Sequence, residues 1–132
     1  MAKVVSLSEA ASLAIHAVVL IASSDKLVNV NQIAKATAAS KNHLAKVMQR
    51  LVKSNLVSST RGPSGGFLLK KEARDICLYD VYLAIEGPIE LEDCPLDRPI
   101  CPFEKCIMGG IMHKLTNDFK KYLIDSKVSS FV

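Results

Sequence analysis

Cys94, Cys101 and Cys106 fall within thirteen residues, in a stretch broken by Pro95, Pro99 and Pro102. Thiolates are ligands for soft metals and for iron–sulfur clusters. An irregular loop imposes no helical or strand register, so three cysteines on it can converge on one centre. The spacing Cys94-x6-Cys101-x4-Cys106 contains no Cys-x2-Cys pair and is not that of a zinc finger. The competing reading, three core thiols, sits badly with a proline-rich loop, which belongs at a surface. Cys77 opens an apolar segment and reads as a small core residue. Glu90, Glu92 and Asp93 beside Cys94 read as a solvated acidic patch able to tune the potential of a bound centre.

A second constellation is basic. The turn Arg61-Gly62-Pro63-Ser64-Gly65-Gly66 directly follows a helix-turn-helix pattern. In that pattern, residues 41–54 carry Leu44, Val47 and Leu51 on one face, with Met48 and Val52 beside them. The other face carries Lys41, Asn42, Lys46, Gln49, Arg50 and Lys53. On a recognition helix in the major groove, such side chains read base edges and meet phosphates. A glycine-rich turn lets backbone approach a ligand closely, and an arginine at its root suits a minor groove. Lys41, Asn42, Lys46 and Arg50 on the helix, with Arg61, Gly62, Ser64 and Gly65 on the turn, are therefore candidate DNA contacts.

These groups need a scaffold, and the periodicity supplies one. Ser6-x-x-Glu9 has the form of a capping box opening a first helix, with apolar residues from Leu7 to Ala22 near a 3.6 period. Asn29-x-x-Gln32 predicts a second box and a short helix to about Thr37. Ser40 is a good N-cap for the third helix, and Asn55 suits its left-handed end. Residues 56–60 and 67–69 read as the strands of a hairpin. A further helix is predicted over 76–85, a loop over 86–102, and a last helix over 104–124. The stripe of that last helix is Ile107, Ile111, Leu115, Phe119 and Leu123, and Gly109-Gly110 would lie inside it, costing about 1 kcal/mol each. The expected fold is mainly α with a small β wing: a winged helix-turn-helix over residues 1–75, then a cysteine-loop sensor and long dimerisation helix over 76–132.

Charge divides the same way. Residues 1–75 hold 11 lysines and arginines against 4 acids, and residues 76–132 hold 6 against 9. A basic front and an acidic back fit a DNA-binding head on a sensing or dimerising tail. The apolar run from Ala14 to Ala22 is too short to span a bilayer, and the start lacks the pattern of a signal peptide. A reducing cytoplasm is therefore expected, where clustered cysteines favour metal or redox chemistry over disulfides. No nucleophile–base arrangement, carboxylate pair or phosphate loop stands out, so an enzyme is not expected.

Three stretches together resemble one family: Ser40-Lys-Asn-His-Leu-Ala-Lys-Val-Met-Gln-Arg-Leu, then Leu56-Val-Ser-Ser, then Arg61-Gly-Pro-Ser-Gly-Gly-Phe-Leu-Leu. With the cysteine loop and the closing Val128-Ser-Ser-Phe-Val, they resemble the Rrf family of winged-helix transcriptional regulators, specifically its iron–sulfur cluster-binding IscR/NsrR group. The resemblance implies a homodimer with crossed C-terminal helices on a near-palindromic double-stranded DNA operator. It places Ser40, Asn42, His43 and Lys46 among the DNA-facing positions of the recognition helix and makes Arg61 the wing arginine. It also implies a 2Fe–2S or 4Fe–4S cluster on Cys94, Cys101 and Cys106, with a fourth ligand from elsewhere.

That fourth ligand departs from the family's patterns. The family's histidine position falls on Gly109, and its helix-one carboxylate position falls on Ser12. His113 lies seven residues past Cys106, a poor reach along a helix. His16 and Glu9 share a face of the first helix with Ser12, and one of them, from the partner chain, is the expected ligand. Cluster loss through nitric oxide, oxidants or iron shortage would then alter DNA affinity. The alternatives are a cluster-free winged-helix regulator sensing through thiol oxidation or zinc, or one acting through a partner protein.

Overall fold

The computed structural model describes residues 5–91 and 100–132. Among these residues, five helices and one hairpin follow in order: α1 (Glu9–Ala22), α2 (Val30–Thr37), α3 (Lys41–Lys53), β1 (Val57–Thr60), β2 (Gly66–Leu69), α4 (Leu78–Glu86) and α5 (Ile111–Asp125). Short 3-10 turns at Ala73–Asp75 and Val128–Phe131 complete them.

Local signals explain α2 and α3. The Asn29–Gln32 box is closed in both directions: Gln32 N–H donates to Asn29 Oδ1 at 2.9 Å, and Asn29 N–H to Gln32 Oε1 at 2.8 Å. Ser40 Oγ accepts from His43 N–H at 3.3 Å, and Asn55 ends the region with φ 62. β1 and β2 pair antiparallel, Val57 opposite Leu69 and Thr60 opposite Gly66. Val28 adds a single bridge to Phe67, exchanging bonds of 2.8 and 3.2 Å, which fastens the wing to the segment leading into α2.

Three expectations need correction. α1 is capped by Ser8, not Ser6: Ser8 Oγ accepts from Ala11 N–H at 3.1 Å and also donates to Glu86 Oε1. Glu9 is therefore the first helical residue and no part of a capping box. α4 begins at Leu78, because Ile76 and Cys77 pair with the chain's end: Leu78 N–H donates to Ser126 O and Val128 N–H to Ile76 O. The last helix begins at Ile111 rather than Glu104. Gly109 and Gly110 take φ of 62 and 72, so they precede the helix and do not interrupt it. Ile107 and Met108, ahead of them, find no core in this chain and stay exposed.

Among the described residues, one apolar core joins the elements. Val18 and Ile21 of α1 pack with Ile33, Leu44, Met48 and Leu51 of the head, and with Ile76, Val81 and Val128 beyond it. Ala11, Ala14 and Ala17 let neighbouring helices approach α1 closely. This core crosses the boundary expected at residues 75/76. Of α5, only Leu123 is fully buried.

Candidate nucleic-acid interface and cysteine loop

α3 sorts its side chains by angle. Leu44, Val47, Met48 and Leu51 are buried, while Lys41, Asn42, Lys46 and Gln49 are exposed. Asn42, Lys46 and Gln49 recur at the 3.6 period and make one outward stripe. Gln49, Met48 and Val52 also line a groove of about 490 Å³, whose other wall is the wing at Thr60, Arg61 and Gly62. Asn29, the cap of α2, also lies on this groove. The wing tip is drawn tight where Gly65 N–H donates to Gly62 O at 2.9 Å. It leaves Arg61, Gly62 and Ser64 exposed.

Two expected DNA-facing residues have partners inside the chain. His43 is half-buried, with Nδ1 3.8 Å from Glu9 Oε1. Arg50 Nη1 donates to Ile85 O of α4 at 2.9 Å. Neither link was legible in the sequence, because each joins segments more than 30 positions apart.

Among the described residues, Cys101 and Cys106 are free thiols on the exposed segment before α5, and Cys77 is buried at the start of α4. Cys94 lies outside the described residues. The backbone N–H groups of Gly110, then Met108 and Gly109, converge on Cys106 Sγ and hold this thiol below its ordinary pKa. Gly109 and Gly110, both at positive φ, lie within this turn. Among the described residues no group of three His, Cys, Asp or Glu side chains is gathered for a metal. Thiolate donors on an irregular loop, one favoured in its anionic form, do fit the chemistry of an iron–sulfur centre.

A profile of the Rrf2 family, described as an iron-dependent transcriptional regulator, matches residues 7–132. The chain belongs to the Rrf2 family. Rrf2 regulators bind DNA and are not enzymes. Among curated proteins, the chain is 30% identical over 117 residues to Protein aau3 of Rhizobium meliloti (strain 1021), covering 83% of this chain and 75% of that one. Among solved structures it resembles CymR, the global cysteine regulator of B. subtilis. There the TM-score is 0.77 at 20% identity, covering 95% of this chain and 94% of that one. It also resembles T. potens IscR, with a TM-score of 0.74 at 22% identity over 96% and 85%. At these identities the structures establish the shared winged-helix fold.

In this Rrf2 chain the two candidate fourth ligands differ in their surroundings. His16 is exposed, and its Nδ1 lies 2.6 Å from Ser12 O. A proton on Nδ1 bound to that carbonyl leaves Nε2 as the outward acceptor, the usual arrangement of a metal-ligating histidine. His16 borders an apolar groove of about 360 Å³ with Ile15, Val19, Tyr122 and Phe131. Glu9 faces His43 instead. Among the described residues, no helix is long and apolar enough to cross a membrane.

Proposed function

We propose that this Rrf2 regulator is a cytoplasmic homodimer that binds a near-palindromic operator, with affinity set by an iron–sulfur cluster on Cys94, Cys101 and Cys106. The observation that carries the reading is the Cys106 thiol, exposed and held toward its anionic form by the N–H groups of residues 108–110. Cys101 lies five residues before it, also exposed. The family's description as iron-dependent supports the same centre. When bound, the cluster supplies a centre that reacts with nitric oxide or oxidants.

The chain's own groups do the rest. Lys41, Asn42, Lys46 and Gln49 enter the major groove, while Ser40 caps the helix and turns its N-terminal N–H groups toward a phosphate. Arg61, with Gly62, Ser64 and Gly65, holds the adjoining backbone. Arg50 is given a different part here, because its Nη1 donates to Ile85 O of α4. The exposed Ile111, Tyr122, Ile124 and Phe131 form the surface on which a second copy docks. Residues 1–75 serve as the reading head and 76–132 as the sensor and dimer contact. His16 of the partner subunit is the favoured fourth ligand, since Glu9 faces His43.

The test is an anaerobic absorption spectrum with iron and sulfide analysis, on the wild type and on Cys101→Ala. Operator affinity is then measured before and after cluster removal. Colour that vanishes in the variant, with affinity that changes on removal, supports the reading. A colourless protein after anaerobic reconstitution sinks the cluster and leaves the head intact. The Cys106 nest favours a second reading in that case, direct thiol oxidation.

A further inference from the structure

His43 and Arg50 stand seven residues apart on α3, so they share one flank of it. That flank lies between the buried stripe and the outward stripe of Asn42, Lys46 and Gln49. Both residues reach the end of another helix: His43 reaches Glu9 at the start of α1, and Arg50 reaches Ile85 O in the last turn of α4. Those two ends are themselves joined, because Ser8 Oγ donates to Glu86 Oε1. The start of α1, the flank of α3 and the end of α4 thus meet in one polar junction.

The junction stands where the chain leaves α4 for the cysteine loop. Had α4 continued, the N–H of Ile89 would have bonded to Ile85 O. It donates instead to Tyr79 Oη at 3.1 Å, and Arg50 takes the vacated acceptor. The carbonyl of Ile89 is held as well, by Lys120 Nζ of α5 at 3.2 Å. The same ammonium lies 5.6 Å from the centroid of the Tyr79 ring. Arg50 of α3 thus holds Ile85 and Lys120 of α5 holds Ile89, and the backbone of residues 85–89 connects the two at the root of the loop. The bonds at Ile85 and Ile89 that involve Arg50 and Lys120 are charge-assisted, the stronger kind.

We propose that Arg50 is a positioning residue that couples DNA occupancy of α3 to the conformation of the loop root at residues 87–91. The coupling rests on the DNA-binding reading above but not on the cluster. A duplex that fixes α3 fixes Arg50, and Arg50 fixes the last turn of α4. By reciprocity, whatever moves the loop root changes DNA affinity. Exposed as it is, Arg50 contributes this link at the surface and not through the core.

The experiment is amide hydrogen exchange on the full chain, with and without a duplex selected on the wild type from a random-sequence pool. Wild type and Arg50→Met are compared, and the salt dependence of duplex affinity is measured for both. In the wild type, the duplex slows exchange at residues 87–91 by about five-fold or more, the lower end of ordinary allosteric coupling. In Arg50→Met the slowing is lost while the salt slope stays unchanged. Equal slowing in both proteins, or none in the wild type, overturns the coupling. A salt slope smaller by about one in the variant overturns it differently, making Arg50 a phosphate contact. If the wild type selects no duplex, the reading of the head falls first and the coupling with it.

Discussion

A Cβ on Gly65 would lie 2.0 Å from the carbonyl oxygen of Thr60. The wing therefore closes on itself at a point where no other residue fits, and its backbone presents Arg61 and Ser64 in one shape. Gly65→Ala must force the turn open, at a cost of about 1–3 kcal/mol for overpacking. Urea unfolding should show a lower midpoint, and duplex affinity should fall with it. An unchanged midpoint would show that the turn yields freely.

The cap of α1 can be assigned by a pair of variants. Ser8→Ala removes the acceptor for Ala11 N–H and the donor to Glu86, and should cost about 1 kcal/mol or somewhat more. Ser6→Ala should leave the thermal midpoint where it is. The opposite ranking would restore the box at Ser6.

Lys46 lies on the outward stripe of α3. If it neutralises a phosphate, Lys46→Ala should weaken binding across all duplex sequences and lower the salt slope by about one. If binding changes only for particular base substitutions, Lys46 reads a base edge instead. Titrating duplex at several salt concentrations separates the two.

Cys106 carries the one pH-dependent expectation. Its folded pKa is lowered by the N–H groups of Gly110, Met108 and Gly109, so the thiolate, the reactive form, persists to lower pH than in an ordinary thiol. In cluster-free protein, iodoacetamide should label Cys106 with a rate that rises through a lower pH than for a free cysteine. Denaturant should move the rise back up. Labelling followed by peptide mass mapping gives both profiles, and coincident folded and unfolded profiles would discount the nest.

Features decided within a few residues were readable from the chain alone. Asn29 and Gln32 satisfy each other's backbone, Ser40 caps the next N–H groups, and Asn55 tolerates the left-handed turn. The buried stripe of α3 and the hairpin follow from periodicity in the same way. The presence of cysteines at residues 94, 101 and 106, and the basic front half, needed no structure either.

Choices between locally equivalent candidates were settled by partners far along the chain. Ser6 and Ser8 are the same residue type two positions apart, and Ser8, the one that caps α1, also donates its hydroxyl to Glu86, 78 positions away. Ile76 and Cys77 continue the period of α4, yet on either side of Cys77 the backbone of Ile76 and Leu78 bonds to Val128 and Ser126. The stripe from Ile107 to Leu123 is continuous in sequence, but only its C-terminal part meets a core, so the helix shortens to Ile111 behind two glycines. Arg50 has the chemistry of a DNA contact, and only folding brings one of its N–H groups to the open carbonyl of Ile85. Composition and period establish which side chains a segment offers. The free energy that decides how each is used comes from surfaces and unpaired backbone groups that folding alone brings within reach.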